Sequence, residues 1–407
     1  MATVPLQEIA QVIRGVTFDK HEALDEWRSG YRPVLRAGNI DTSLLIDQDL
    51  VWVPERRIAD EQRMLAGDIA ICMSSGSQAV VGKTAALKVD WPGSVGAFCA
   101  IVRPRPARVL PEWLGFFLRS ELFRTWTRQS TGANIKNIRK SELETFPVPL
   151  PSPVAQQRIV DLLSRAEGIV RLRRQAQQKA AELIPAIFAD MFGDPATNPK
   201  GWPTRPLSDL VEFQSGGTPS KARGEYWQGD VPWVSPKDMK RLALYDAIDH
   251  ISDLVLAETS LKLVPAGSVL IVVRGMILAH TVPVAEARVP LTVNQDMKAL
   301  ISKGAVHSTY LLWMLQVCHD RLLAQVTTAA HGTKKLDTAR LEEMPIPLPP
   351  ASMQQAFETN VRRMEAIQEH QVNAAAKAEA AFSALLARAF VAEGAGAAVR
   401  EAEEVGS

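Results

Sequence analysis

The sequence predicts an α+β protein made of one unit written twice, a strand-rich module closed by a long helix. Three observations predict it. "FPVPLP" at 146–151 returns as "MPIPLP" at 344–349, 198 positions on. Each copy precedes a long run of helix-forming residues in which apolar side chains recur at steps of three and four. Apolar runs of strand length, such as Val269-Leu270-Ile271-Val272-Val273, punctuate the stretches before them, between Gly- and Pro-rich turns.

The register of 198 extends well beyond the proline phrase. It sets Gln156-Gln157 on Gln354-Gln355, and Lys136, Ile138 and Leu143 on Lys334, Leu336 and Leu341. Downstream it sets Ile169, Ala176, Ala180 and Phe192 on Ile367, Ala374, Ala378 and Phe390. Toward each N-terminus the offset drifts to about 200, where "LAGDIAIC" (65–72) meets "VPAGSVLIV" (264–272) and "YRPVLRAGNI" (31–40) meets "VPWVSPKDMK" (231–240). The elements therefore read as a module over 1–150, a helix over 151–192 and a Gly/Pro/Asn linker over 193–201. A second module follows over 202–348, then a helix over 349–393 and a tail over 394–407 whose composition predicts disorder.

In the first helix the steps run from Ile159 through Leu162, Ala166, Ile169, Arg173, Ala176, Ala180, Leu183 and Ile187, a heptad seam. The same register in the second helix selects Phe357, Asn360, Met364, Ile367, Gln371, Ala374, Ala378, Ala381 and Leu385. Small residues at matching places let two backbones approach closely, so each helix is the expected partner of the other. The expected architecture is an antiparallel coiled-coil pair, roughly 55 Å long at 1.5 Å per residue, separating two modules with pseudo-twofold symmetry. Pro185 is expected to kink the first helix near its end.

At 407 residues the chain is long enough for two buried cores. No apolar run approaches the roughly 20 residues of a bilayer span, and no basic region followed by a long apolar stretch opens the sequence. A cytoplasmic location with no membrane partner is expected. Cys72, Cys99 and Cys318 are widely spaced and odd in number, which predicts reduced, structural thiols. With 46 Lys+Arg against 45 Asp+Glu the net charge is +1, so nucleic-acid binding requires local clustering.

Motifs for catalysis fail on inspection. "GSQAVVGKT" (76–84) has five residues where a phosphate-binding loop has four, and its counterpart "GMILAHTV" (275–282) has no Gly-Lys. Asp238-Met239-Lys240 falls on Gly38-Asn39-Ile40, which carries no carboxylate, and reads as a loop. No Gly-rich cofactor loop, methyltransferase tetrad or metal-ligand spacing is found, so no catalytic or metal residue is assigned.

What the modules do contain is donor-rich loops of the kind that touch nucleic acid: "SSGSQ" (74–78), "STGANIKNIRK" (130–140), "QSGGTPSKARGEYW" (214–227) and "AAHGTKKLD" (329–337). Small residues admit backbone amides to phosphates, while Lys, Arg and Asn bond phosphates or base edges. The candidate DNA contacts in the first module are Arg36, Ser74, Ser75, Lys83, Asn134, Lys136, Arg139 and Lys140. Those in the second are Lys221, Lys237, Arg274, His331, Lys334 and Lys335. Read from the residues alone, the chain is a two-headed, non-catalytic binder. A coiled-coil scaffold with heads for protein or glycan remains an alternative, as does the specificity subunit of a related DNA-modification system.

The phrases "FPVPLPSPVAQQRIV", "MPIPLPPASMQQAFE" and "GWPTRPLSDLVEFQSGGTPSKARGEYWQGDVPWVSPKDM" closely resemble the specificity (S) subunits of Type I restriction-modification systems, the HsdS family. The resemblance covers residues 1 to about 393, in the order target-recognition domain, spacer helix, target-recognition domain, spacer helix. It implies a subunit that is not itself an enzyme and binds no cofactor. Each recognition domain would read one half of a bipartite double-stranded DNA site, and the helices would dock two modification (methyltransferase) subunits. S-adenosylmethionine would sit in those partners, and added restriction subunits would use ATP and Mg. Two departures stand out: Gln156-Gln157 and Gln354-Gln355 where the family often has Glu-Gln, and "RGVTFDK" (14–20) where the second module has "SGGTPSK" (215–221).

Overall fold

The computed structural model describes residues 2–130, 137–329 and 332–390. The tail expected over 394–407 and the candidates Asn134, Lys136 and His331 lie outside the described residues. The chain divides into two units, residues 1–174 with 374–407, and residues 175–373.

The first unit opens with β1 (Ala2–Pro5), a single helical turn α1 (Leu6–Ile9), β2 (Ala10–Arg14), β3 (Tyr31–Leu35), β4 (Val51–Pro54), β5 (Ile69–Cys72), β6 (Thr84–Ala86), β7 (Ser94–Val95) and β8 (Cys99–Pro104). Helices α2 (Pro111–Phe117), α3 (Glu121–Ser130) and α4 (Lys140–Glu144) follow, then β9 (Pro147–Leu150) and the long helix α5 (Pro153–Phe192). An antiparallel sheet has the order β2-β8-β5-β6, and a smaller sheet the order β4-β3-β7. Every residue of β5 is buried, as its unbroken apolar run requires of a central strand.

The second unit repeats this order. Its strands are β10 (Thr204–Pro206), β11 (Val211–Ser215), β12 (Val231–Val234), β13 (Ala243–Leu244), β14 (Asp249–Ile251), β15 (Val269–Val272), β16 (Val284–Ala287), β17 (Thr292–Val293), β18 (Met297–Ser302), β19 (Val326–Thr328), β20 (Lys334–Leu336) and β21 (Pro345–Pro347). Its helices are α6 (Leu207–Leu210), α7 (Asp253–Glu258), α8 (Ser308–Val317), α9 (His319–Ala324), α10 (Thr338–Glu342) and the long α11 (Ala351–Phe390). The sheet β11-β18-β15-β16 matches β2-β8-β5-β6, gains β13 at its edge, and is joined by a sheet β14-β12-β17 and a hairpin β19-β20.

The twice-written proline phrase is the strand that closes each module on its own beginning. Pro5 pairs with Pro147 and Ala2 with Leu150, while Pro206 pairs with Pro345 and Thr204 with Pro347. Each is a two-stranded ribbon, so the outer edge needs no N–H donors and prolines are tolerated there. Val148 and Ile346, between the prolines, are fully buried.

Beyond the ribbon the helix start is locked by a glutamine. Gln156 Nε2 donates to the Pro151 carbonyl (3.0 Å) while its Oε1 accepts from the Leu110 N–H (2.9 Å), the residue that caps α2. Gln354 repeats both bonds, to the Pro349 carbonyl (2.8 Å) and from the N–H of His307 (2.8 Å), which caps α8. Both glutamines are buried with every side-chain bond aimed at backbone.

Within the first unit, Ile159, Val160 and Leu163 near the start of α5 share a core with Leu385, Leu386, Ala389 and Phe390 at the end of α11. Trp113 and Phe117 stack at 5.4 Å and receive the edge of Phe390 at 5.7 and 5.5 Å. Arg174 pairs with Glu379 at 2.7 Å. Within the second unit the order is reversed: Ile184, Phe188 and Phe192 at the end of α5 pack on Phe357 and Val361 near the start of α11, and Gln368 Nε2 donates to the Ala180 carbonyl. In each unit the early turns of one helix meet the late turns of the other, so the two helices run antiparallel.

The seam needs a correction. Ile159, Ala180 and Phe357 are buried, and Ala166, Ala176, Met364, Ala374, Ala378 and Leu385 are half-buried. Leu162, Ile169, Leu183, Ile367 and Ala381 are exposed instead, and α5 buries Leu163, Val170 and Ile184, one position later than expected. Apolar residues stand at both positions, and each module's core selects the one that faces it. Pro185 is exposed, and α5 runs through it as one element.

Candidate nucleic-acid interface

In both units the loop that follows the central strand is joined by backbone to the segment that precedes the last short helix. In the first, Ser74 bridges Asn137 and the Ile138 N–H donates to the Met73 carbonyl at 2.8 Å. In the second, Arg274 bridges Lys335 and the Leu336 N–H donates to the Val273 carbonyl at 2.9 Å. Candidates far apart in sequence thus meet: Ser74 and Ser75 beside the segment carrying Arg139 and Lys140, and Arg274 beside Lys334 and Lys335.

A second shared feature fixes the neighbouring loop. A Cβ on Gly15 would stand 2.1 Å from the Gly96 carbonyl oxygen, and one on Gly216 would stand 2.0 Å from that of Val293. Only glycine admits such an approach. "RGVTFDK" and "SGGTPSK" therefore share their glycine and its backbone contact while differing in the side chains that follow.

The cations differ in how far they are engaged. Arg36, Arg139, Lys221, Arg274 and Lys335 are exposed, and Ser74, Ser75, Lys83, Lys140 and Lys334 half-exposed. Arg36 donates to the Asp49 carbonyl (3.1 Å), Lys83 pairs with Asp41 (3.4 Å) and Lys140 with Glu144 (3.6 Å). Lys237 pairs with Asp249 at 2.7 Å, and that carboxylate raises its pKa above the usual lysine range. Lys334 Nζ donates to Thr328 Oγ1 at 2.9 Å.

The aromatic residues beside Lys221 serve the loop rather than the solvent. Tyr226 is buried and bonds Glu258 at 2.8 Å, with Arg223 over its ring at 4.1 Å. Trp227 packs edge-on against Trp233, whose Nε1 donates to the Gly217 carbonyl. Arg223 is held by Glu225 and Glu258, which leaves Lys221 as the exposed cation of that turn.

Each long helix is also pinned by charge, an arrangement not expected from sequence. In the first unit Glu167 takes Arg119 at 2.6 Å and Lys88 at 3.0 Å. Burial would raise its pKa, but the two cations outweigh burial and hold it below the usual carboxylate range. In the second unit Glu286 and Glu365 share Arg288 and Arg362, and Glu286, Arg288 and Arg362 line a polar cavity of about 600 Å³ with His307 and Glu358. There burial dominates and raises both glutamate pKa values. The cations and carboxylates of this cluster pair with one another, while Glu286 Oε2 and Arg288 Nε are buried without a hydrogen-bond partner among the described residues. Repeat alignment of Lys88 with Arg288 and Glu167 with Glu365 was the available sequence signal.

Cys72 and Cys99 face each other across β5 and β8 and, like Cys318, are buried and unbridged. Among the described residues no group of three or more His, Cys, Asp or Glu is placed to hold a metal, and no helix is long and apolar enough to cross a membrane.

The family model described as Type I restriction modification DNA specificity domain matches residues 1–182 and again 199–372. The chain is 36% identical over 190 residues to the Type I restriction enzyme StySPI specificity subunit of Salmonella potsdam, across 46% of this chain and 40% of that relative. It is 36% identical over 187 residues to the EcoKI specificity subunit of Escherichia coli, across 45% and 39%. The matched part thus spans less than half the length of either relative. A solved chain from work on complex assembly and conformational transition of the type I R-M system shares the fold, with a TM-score of 0.59 over 96% of this chain and 97% of that one at 18% identity. A module written twice, with the same strand order, the same glutamine lock and a family model matched over both copies, belongs to the family of Type I restriction-modification DNA specificity domains.

Proposed function

We propose that this chain is the DNA specificity subunit of a Type I restriction-modification complex, non-catalytic by itself. Residues 1–150 and 202–348 act as target-recognition domains, each reading one half of a bipartite double-stranded site, and 151–192 and 349–393 act as spacer helices. The observation that carries this reading is the pairing of Ser74 with Asn137 and of Arg274 with Lys335, which gives both modules a donor-rich edge at the same place in the fold. In this reading Arg36, Ser75, Lys83, Arg139, Lys140, Lys221, Lys237, Lys334 and Lys335 are further phosphate or base contacts, as are Asn134, Lys136 and His331, which are assigned from sequence.

Catalysis belongs to partners in this reading. Leu162, Ile169, Leu172 and Leu183 leave an apolar stripe exposed along α5, suited to helices of two modification subunits that bring S-adenosylmethionine. Restriction subunits would add ATP and Mg.

Methylome sequencing of cells carrying this chain with its modification subunit tests the assignment. A new bipartite methylated-adenine motif, absent when either protein is omitted, is expected. No new motif with both proteins soluble and associated would overturn it. Exchanging residues 1–145 for those of another such subunit is expected to change one half of the motif and leave the other intact.

A further inference from the structure

The turn at Met276–Ala279 puts two apolar side chains beside two exposed cations, Arg274 and Lys335. Met276 is 63% and Ile277 36% exposed, directly after Arg274, whose backbone bridges Lys335. Isolated exposed apolar residues are ordinary. These two sit on a turn that is fixed at both ends.

At its start the Gly275 N–H donates to the Lys334 carbonyl at 3.0 Å and the Arg274 N–H to the Asp296 carbonyl at 3.1 Å. Gly275 adopts φ +129, a conformation that side chains disfavour and glycine accepts. At its end His319 Nε2 accepts from the Val282 N–H at 3.3 Å and meets the Thr281 hydroxyl at 3.0 Å. Leu278, between the exposed pair and this anchor, is buried at 1%. The pair is therefore held out from the surface by the backbone.

The same position in the first module has no such pair. There Ser74 bridges Asn137, and the residues that follow are Ser75, Gly76, Ser77 and Gln78, of which the serines and the glutamine carry hydrogen-bonding side chains. One backbone frame thus presents hydrogen-bonding side chains in one unit and alkyl and thioether groups, flanked by cations, in the other.

Resting on the function proposed above, we propose that Met276 and Ile277 read the C5 methyl of thymine in the half-site of the second module, with Arg274 and Lys335 on the flanking phosphates. Among the base edges in the major groove, the thymine methyl is the apolar group, and apolar side chains recognise it by contact. The neighbouring cations give the approach and register that such a contact needs.

The test is selection of bound DNA by the full chain from random duplex pools made with thymine or with uracil, which lacks the methyl and keeps the hydrogen bonds. In the thymine pool the second module's half-site is expected to contain thymine at one or more positions. That preference should fall about fourfold per methyl in the uracil pool. The M276A/I277A variant should lose the thymine-over-uracil difference. Its unchanged enrichment of the first module's half-site shows that the variant is folded and bound.

A half-site without thymine, equal enrichment of thymine and uracil by the unaltered chain, or a difference that survives in the variant overturns the proposal. Should the double variant bind no DNA, M276Q alone replaces it, with a smaller thymine-over-uracil difference expected, since Ile277 remains, and an undiminished difference overturning the proposal. Enrichment of neither half-site in any pool would instead strike the function itself, and this assignment with it.

Discussion

The two modules agree where they are mechanical and differ where they face outward. The proline ribbons Pro5–Pro147 and Pro206–Pro345 and the close approaches of Gly15 and Gly216 are the same devices. So are the glutamine locks at Gln156 and Gln354. The loops after the central strands share a backbone bridge and little side-chain chemistry: Ser75-Gly76-Ser77-Gln78 against Gly275-Met276-Ile277. The charged struts differ too, with Glu167 held by cations and Glu286 governed by burial. A frame that holds its shape through backbone and buried amides leaves the loop residues free to change.

The largest effect is expected where the modules agree. Gln156→Ala and Gln354→Ala each leave a backbone N–H and a carbonyl without their side-chain partner, a loss of about 3 kcal/mol in the affected module. Chemical denaturation of the two variants is expected to give similar losses. A loss in one and none in the other would end the equivalence of the two frames.

A middle-sized effect is expected at the outward edge. Lys334→Ala with Lys335→Ala should weaken DNA binding and lower the salt dependence by up to about two counterions. Titrations at several salt concentrations measure this. An unchanged slope in a folded variant would make these lysines merely solvated.

The smallest effect concerns the struts and separates them by sign. The folded pKa of Glu167 lies below its unfolded value. Its contribution is full above about pH 4.3 and fades as pH falls through the folded pKa, so the melting temperatures of E167Q and the unaltered chain should converge in acid. At pH 7, where the glutamate's partly exposed ion pairs are intact, the loss in E167Q is expected to be about 1 kcal/mol or less. Glu286 has the opposite shift. As pH falls through its raised pKa toward about 4.3, the unaltered chain takes up a proton that favours folding and should gain on E286Q. Melting curves over pH 7 to pH 3 that move in the same direction for both variants would erase the contrast.

Much of the frame was legible because it is written locally and twice. The register of 198 found the proline phrases, the helices and the glutamines, though not the strands that the phrases pair with. It did not reveal what the glutamines hold, since the partner of Gln156 at Leu110 is 46 residues away. The seam was misplaced because Leu162-Leu163, Ile169-Val170 and Leu183-Ile184 offer apolar side chains at adjacent positions, and helical periodicity alone favours neither. The candidate contacts were recognisable as residue types, but the bridges uniting Ser74 with Asn137 and Arg274 with Lys335 depend on sheet pairing over long separations. Tyr226 and Trp227 stand beside Lys221 in one of the donor-rich loops, and in the fold they brace that loop through Glu258 and Trp233.

The division of the chain into units also orders its synthesis. The second unit, 175–373, is continuous, so a ribosome finishes all of it before the first unit has received residues 374–390. Until then Trp113 and Phe117 lack the edge of Phe390, and the face built to receive Phe382 and Leu386 stays bare. The module translated first is completed last. During that interval its apolar face is open to misassociation, as exposed surface on a partly folded chain generally is.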